Sequence, residues 1–218
     1  MTETKLMEIY ELLYDHYGPQ HWWPGQSREE IIIGAILTQN TNWKNVEKAI
    51  ANLKNANCLS IRQLHAIAIE ALAELIRPAG YYNIKARRIK NFLDWLFNNY
   101  DGNLEKVEEL DANRLREELL TVKGIGKETA DSILLYAFGR AVFVVDTYSW
   151  RIVSRHRLID PDSDYEELRE LFEYNLPQDE KLFNEYHALL VRIGKEYCKT
   201  KANCTDCPLQ HLPHDVLE

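Results

Sequence analysis

The chain lacks the features of an exported or membrane-spanning protein. None of its apolar runs approaches the roughly 18 residues that a bilayer span requires. Its first residues, MTETKLME, lack the basic-then-apolar pattern of a signal peptide. It has only four cysteines, and disulfides between them are not expected in a reducing compartment. We therefore expect a cytoplasmic protein that makes no membrane contact.

An excess of positive charge is also absent, since the formal net charge is −8. This balance argues against a protein that coats nucleic acid by bulk electrostatics, so any DNA contact must come from a local basic surface. For any single basic residue, a solvated helix face is the simpler explanation. The candidates are Lys85, Arg87, Arg88 and Lys90 in one predicted helix, and Lys123 and Lys127 around a pair of glycines.

Helical periodicity dominates the chain, which has no internal repeat and no low-complexity linker. Ser27 and Glu30 form an S-x-x-E capping box before the apolar run at 31–37. Only the run at 141–145 is strand-like, and one such run is too little to build a sheet, so we predict a buried extended connection there. The fold class is therefore all-α. Further helices are predicted after Asn42, Asn83 and Asp111, beyond Gly126, and at 147–157, 164–174 and 179–197.

The stretch from Thr121 to Tyr148 is the most informative part of the sequence. Gly124 and Gly126 permit a sharp turn between two helices and leave backbone N–H groups uncovered at the start of the second helix. Such amides, together with the helix dipole, can bind a phosphate. A hairpin of this kind grips a nucleic-acid backbone and reads no base sequence. With Lys123 and Lys127 beside it, this segment is the predicted DNA-binding element.

This stretch resembles the helix-hairpin-helix glycosylases of the endonuclease III superfamily, which act in DNA base-excision repair. Within that superfamily, four further motifs resemble the 3-methyladenine DNA glycosylase III family: WWP at 22–24, LTQNT at 37–41, RPAGYYN at 77–83 and VDTYS at 145–149. The resemblance covers nearly the whole chain. It implies a six-helix lobe at 21–138, a second lobe formed by 1–20 plus 139–218, and an active site in the cleft between the lobes.

Asp146 is the predicted catalytic residue. Breaking an N-glycosidic bond leaves an oxocarbenium-like sugar, and a nearby carboxylate can stabilise its positive charge and help to orient a water. The spacing alone favours a simpler role, in which Asp146 caps the helix that starts at Thr147. The resemblance favours catalysis, and a cap would also hold the carboxylate rigidly and lower its pKa.

The lyase members of the superfamily carry a lysine two residues after the second hairpin glycine, where its amine forms a Schiff base with the sugar. Here that position is Glu128, which we expect to lie in the first helical turn as a favourable dipole partner. Lys127 is one residue away, and one step along a helix turns a side chain by about 100°. We therefore predict a monofunctional glycosylase that uses water.

Aromatic and polar residues supply candidates for holding a base and filling the gap that it leaves. Tryptophans are most often core residues, but enzymes that act on a base flip it out and commonly stack it between aromatic faces. The resemblance implies such a base pocket from Trp22, Trp23, Pro24 and Trp43. Gln39 and Asn40 either insert into the gap in the DNA, as in relatives, or form a helix-terminal turn, and we weigh these two alternatives equally.

The C-terminal cysteines resemble the loop that binds a [4Fe–4S] cluster in endonuclease III, but one of the four thiolates is missing. Cys198, Cys204 and Cys207 are present, whereas Pro213 stands where the fourth cysteine is expected, with His211 and His214 nearby. Cys58 lies far away in the sequence. Three alternatives stay open: a cluster with a histidine or exogenous fourth ligand, a Cys3His zinc site, or a loop without metal. We favour a retained cluster or metal.

Together these features predict a monofunctional DNA glycosylase for alkylated purines, chiefly 3-methyladenine. Its expected partner is double-stranded DNA that contains a damaged base, and we expect a monomer. One alternative is an endonuclease III-like glycosylase/lyase for oxidised pyrimidines. An adenine-mismatch glycosylase is disfavoured because Gly34 stands where that branch has its catalytic glutamate. An alternative of another class is a non-catalytic DNA-binding module in which Asp146 is structural.

Overall fold

The computed structural model describes residues 2–215. Within this range the regular structure is entirely helical, as predicted. None of the described helices combines the length and the apolar character needed to cross a membrane. The α-helices are Thr2–Tyr17 (α1), Arg28–Thr38 (α2), Trp43–Asn55 (α3), Ile61–Ala66 (α4), Ile69–Leu75 (α5), Tyr82–Tyr100 (α6), Leu104–Glu108 (α7), Ala112–Thr121 (α8), Lys127–Ser132 (α9), Thr147–Arg155 (α10), Tyr165–Asn175 (α11) and Glu180–Glu196 (α12).

Residue contacts divide the chain into two compact units. The first unit contains the residues up to Trp23 and those from Ala141 on, and the second contains Pro24–Arg140. In the second unit α2 is the central helix, packing against α3, α6 and α9. Its residues from Ile32 to Leu37 are all buried, as expected for a helix with an almost unbroken apolar run.

Helix α9 continues directly as one π-helical segment, Ile133–Ala137, which also packs on α2. The side chain of Arg28 donates from Nε to the carbonyl of Ala137 at 3.0 Å, which satisfies one of the carbonyls that a helix end leaves open. The chain then turns at Gly139, whose φ of +59° is left-handed. The helical segment therefore ends at the residue before this glycine.

In the first unit, α12 packs against α10 and α1, while α1 also contacts α11. The segment at 141–145 has no regular secondary structure and is largely buried, and its burial agrees with the prediction. It carries Phe143 into an aromatic cluster, where the ring stacks on Phe172 at 3.9 Å between centroids. Edge contacts with Phe183 and Tyr186 complete the cluster. This packing explains why an apolar run of strand-like sequence folds without a sheet.

The predicted capping box at Ser27 is only half formed. The Ser27 hydroxyl accepts a hydrogen bond from the Glu30 N–H at 3.2 Å, as predicted. The Glu30 carboxylate, however, accepts from the N–H of Gln26 and pairs with Lys54 at 2.8 Å. Glu30 thus makes an ion pair with Lys54 of α3 and not the reciprocal bond to the Ser27 N–H. The local sequence around Ser27 cannot predict this partner, because Lys54 lies on another helix.

Of the candidate basic cluster, Lys85 is buried and Lys90 is half-buried. Lys85 is 1% exposed, and its ammonium donates to the carbonyls of Leu37 and Ala79 at 2.9 and 2.7 Å. Burial, together with the smaller effect of the nearby charge of Arg88, lowers the pKa of Lys85 to about 8. Lys90 donates in the same way to three carbonyls at the end of α4. These two side chains therefore cap helix ends and do not form a basic surface.

Candidate functional site

The glycine hairpin lies between α8 and α9, as its sequence predicts. Gly124 has a φ of +100°, which side-chain-bearing residues rarely adopt, and a Cβ at this position would lie 2.4 Å from Cγ of Arg88. Gly126 is the N-cap of α9, and nothing lies within 4 Å of where its Cβ would be. Lys123 and Lys127 are both exposed beside this turn. The hairpin therefore offers exposed cations and an open helix start on one surface of the second unit.

Gln39 ties the loop after α2 to this hairpin. Its side-chain amide donates to the Gly124 carbonyl at 3.1 Å and to the Thr129 hydroxyl at 2.9 Å. Its amide oxygen accepts a hydrogen bond from Arg88. Asn40, by contrast, is exposed and has a left-handed φ of +53°. In this structure Gln39 braces the hairpin, and Asn40 is the residue of the pair that faces solvent.

Asp146 is the N-cap of α10, and a full capping box fixes its orientation. Its Oδ1 accepts from the N–H groups of Tyr148 and Ser149, both at 2.8 Å. The Ser149 hydroxyl in turn accepts from the Asp146 N–H at 2.7 Å. Only 13% of the Asp146 side chain is exposed. The structure therefore agrees with the predicted cap, which commits one carboxylate oxygen to the backbone and leaves Oδ2 outside it.

A histidine that the sequence reasoning missed faces this carboxylate. His187 of α12 is 7% exposed at its side chain, and its Nε2 lies 3.6 Å from Asp146 Oδ2. Burial acts to raise the pKa of Asp146, but the facing imidazole and the bonds from Ser149 outweigh it. The pKa of Asp146 is therefore below its usual value, as predicted, and the carboxylate is charged at neutral pH.

The tryptophans of the predicted base pocket are half-buried. In the first unit, Trp22 and Trp23 meet edge to face, with 5.6 Å between their ring centroids. In the second unit Pro24 is exposed, and Trp43 is the first residue of α3. The Trp43 indole N–H donates to the Glu47 carboxylate at 3.0 Å. Each of these tryptophans is partly exposed, so none is a fully buried core residue.

Glu128 stands in the first turn of α9, as predicted, and is exposed. An acidic side chain is favourable there because the N-terminal end of a helix carries partial positive charge. Lys127 is the residue before it and is also exposed.

Cys198, Cys204 and Cys207 line one small cavity in the first unit, together with His156 and His214. All four cysteines of the chain are reduced. Among residues 2–215, however, no three side chains of the usual ligand types are arranged to hold one metal ion. Burial raises the pKa of the Cys207 thiol.

Arg155 occupies the position beside these thiols. It is 6% exposed, and its guanidinium donates to Cys198 Sγ at 3.1 Å and to the carbonyls of Lys199 and Thr200, both at 2.8 Å. The backbone N–H of Asp215 donates to the Arg155 carbonyl at 2.7 Å. The three thiols therefore line one cavity without being arranged as metal ligands, and hydrogen bonds within the chain hold the loop in place.

Comparison with known proteins adds to this geometry. A family model described as HhH-GPD superfamily base excision DNA repair protein matches residues 33–178. A protein of Methanocaldococcus jannaschii, provisionally named a DNA repair glycosylase, is 49% identical over 217 residues, covering 97% of this chain and 98% of its own length. An endonuclease III of Sulfolobus acidocaldarius is 32% identical, covering 82% of this chain and 78% of its own length.

Among solved structures, the H. pylori 3-methyladenine DNA glycosylase bound to 1,N6-ethenoadenine is similar, with a TM-score of 0.76 and 31% identity. The match covers 89% of this chain and 97% of that one. The span of the family match, 33–178, contains both the hairpin and Asp146.

Proposed function

The chain belongs to the HhH-GPD superfamily of base excision DNA repair proteins, and from this we propose that it is a monofunctional DNA glycosylase for alkylated purines, chiefly 3-methyladenine. The observation that carries the proposal is Asp146, whose carboxylate is fixed by a capping box, largely buried and charged at neutral pH. A rigid anion is what the charge developing on the sugar needs.

In the proposed reaction the bond between C1′ and the base nitrogen breaks, and its electron pair leaves with the base. Positive charge grows on the sugar, and the anionic Asp146 stabilises it while orienting a water toward C1′. The water oxygen bonds to C1′, its proton is released, and an abasic site remains. Oδ2 is the oxygen that the cap leaves for this work.

An alkylated purine suits a site with a single carboxylate. 3-Methyladenine in DNA is cationic, so it leaves as a neutral base and needs no strong general acid. Aromatic rings attract such a cation by about 0.5–2 kcal/mol. The likeness to the H. pylori 3-methyladenine glycosylase, at 31% identity, supports this substrate class. Stacking of the base by the tryptophans stays a prediction, and the Trp43→Leu variant tests it for Trp43. This variant should release the base more slowly than the wild type and bind undamaged duplex with unchanged affinity.

The absence of lyase activity rests on the hairpin. Glu128 stands where the lyase relatives carry their lysine, and Lys127 points in a direction about 100° away around the helix. A glycosylase/lyase for oxidised pyrimidines is the second candidate function, because the endonuclease III of S. acidocaldarius is 32% identical to this chain. DNA binding is assigned to the hairpin, where exposed Lys123 and Lys127 provide local positive charge on a chain whose formal net charge is −8.

The test is base release from alkylated duplex DNA by the purified protein, with strand scission and borohydride trapping scored in the same reaction. The proposal expects free 3-methyladenine, intact strands until alkali is added, and no trapped protein–DNA adduct. A trapped adduct with nicked strands would refute the monofunctional proposal in favour of the glycosylase/lyase, and Lys127→Ala would then be the next variant to test. Retained DNA binding without release of any alkylated or oxidised base would point to a non-catalytic module.

The reaction proposed here uses none of the cysteine thiols. Whether Cys198, Cys204 and Cys207 hold a cluster or another metal is tested on the same preparation by its iron and zinc content and its visible absorbance. Size-exclusion chromatography with light scattering tests the expected monomer.

A further inference from the structure

The two oxygens of the Asp146 carboxylate have different surroundings. Oδ1 accepts both backbone N–H groups of the cap. Oδ2 lies outside the cap and faces Nε2 of His187 at 3.6 Å. This separation is longer than a hydrogen bond, so the contact is electrostatic as it stands. Contacts of this kind in unliganded enzymes are often long and tighten once the substrate is in place.

The packing of α12 on α10 is what brings His187 to this position. Gly194 lies seven residues after His187, so both are on the same face of α12. A Cβ at Gly194 would lie 2.4 Å from Cδ1 of Tyr148, which shows how closely α12 approaches the first turn of α10. Because Asp146 caps that same turn, the close approach places the imidazole opposite Oδ2. The contact is therefore built by two helices and not by a chance rotamer at the surface.

A histidine at this buried position needs a reason beyond packing. His187 is a buried polar side chain on a helix whose buried face is otherwise largely apolar. An imidazole that carries a proton on Nε2 can donate it toward Oδ2. It would hold Oδ2 in one orientation and keep it anionic.

We propose that His187 is the positioning residue of Asp146, acting through Oδ2, so that the Asp146–His187 pair sets the rate of base release. The inference rests on the proposed hydrolysis by Asp146. Its role differs from that of a core histidine, because a core histidine would affect stability alone. It also differs from that of a DNA contact, because the affinity for DNA would not change.

The experiment compares His187→Leu with His187→Gln under single-turnover conditions. Glutamine places an amide N–H near the position of Nε2, so we expect it to keep the rate within about 3-fold, whereas leucine should lower it about 10- to 100-fold, as expected for losing a hydrogen bond to a charged group. The dissociation constant for damaged duplex should be unchanged in both. If His187→Leu does not fold, His187→Asn replaces it, because its shorter amide cannot reach Oδ2.

Tyr186→Phe is the matched control on the same helix. Tyr186 is fully buried and donates its hydroxyl to the Leu6 carbonyl at 2.8 Å, away from Asp146. We expect this change to lower stability and to leave the rate of base release unchanged. Equal loss of rate in His187→Leu and His187→Gln, or in His187→Leu and Tyr186→Phe, would overturn the proposal.

A readout without substrate separates this inference from the proposed function. Carbon-detected NMR titration of the Asp146 carboxyl should give a higher pKa in His187→Leu than in the wild type, with His187→Gln closer to the wild type. An unchanged pKa in His187→Leu would refute the pairing even if base release were observed. A shifted pKa in a protein that releases no base would uphold the pairing and refute the glycosylase.

Discussion

Replacement of Asp146 by asparagine separates its charge from its role as a cap. Asparagine keeps an oxygen that can accept from the N–H groups of Tyr148 and Ser149, and it is as good an N-cap as aspartate. The charge is lost. A unit charge about 4 Å from the developing sugar cation is worth about 4 kcal/mol at an effective dielectric constant of about 20. We therefore expect Asp146→Asn to slow base release by about 1,000-fold.

Asp146→Ala is the companion variant, because it removes both the charge and the cap. Its rate should fall as far as that of the asparagine variant, while its free energy of unfolding at neutral pH should fall by about 1 kcal/mol more. The assay is single-turnover release of 3-methyladenine, with urea denaturation of each variant alongside. A rate for Asp146→Asn within tenfold of the wild type, in a folded protein that binds DNA normally, would refute the electrostatic role.

The charge of Asp146 also predicts a pH dependence of stability. The pKa of Asp146 is lowered in the folded state from an ordinary value of 3.8. The stabilisation is therefore fully present above that value and is lost as the pH falls through the lower folded pKa. Urea denaturation should show the free energies of unfolding of the wild type and Asp146→Asn converging over that acidic range. Divergence on acidification would contradict the sign of the shift.

Two further predictions concern the second unit. Gly124→Ala should destabilise the protein by about 1–3 kcal/mol, because its φ of +100° is strained for alanine and a Cβ would meet an arginine side chain. It should also weaken binding of undamaged duplex. Denaturation and fluorescence anisotropy check the two effects, and Gly126→Ala, where a Cβ has open space, is the control for the steric part of the loss of stability only. Between about pH 8 and 10.5, Lys85 holds a proton in the unfolded chain that it has lost in the folded protein. The free energy of unfolding of the wild type should therefore rise relative to that of Lys85→Met as the pH rises through this range. Denaturation of both proteins at the two ends of the range checks the sign.

The helices could largely be predicted from the sequence because their signals are local. Cap residues such as Asn42, Asp111 and Asp146 act within one turn, and apolar spacing identifies a buried face. The same holds for the glycine hairpin, since its turn depends on the glycines themselves. The π-helical segment after α9 and the left-handed start of α6 at Tyr81 carry no comparable signal.

The features that escaped prediction all depend on partners distant in the sequence. His187 is an ordinary residue of an apolar helix until α12 packs on α10 and brings it to Asp146. Lys85 and Lys90 look like surface cations until the carbonyls at the ends of other helices are placed around them. Gln39 could be assigned to a turn or to DNA, and nothing in its neighbours predicts a bond to Gly124.

Arg155 gives the C-terminal loop an anchor that uses no metal ligand. In small zinc domains the metal supplies the folding free energy, so a chelator unfolds them. Here a buried guanidinium binds the carbonyls of Lys199 and Thr200, and the backbone of α10 binds Asp215. A chain fastened in this way tolerates the exchange of one ligand position, such as Pro213 in place of the fourth cysteine, without releasing the loop.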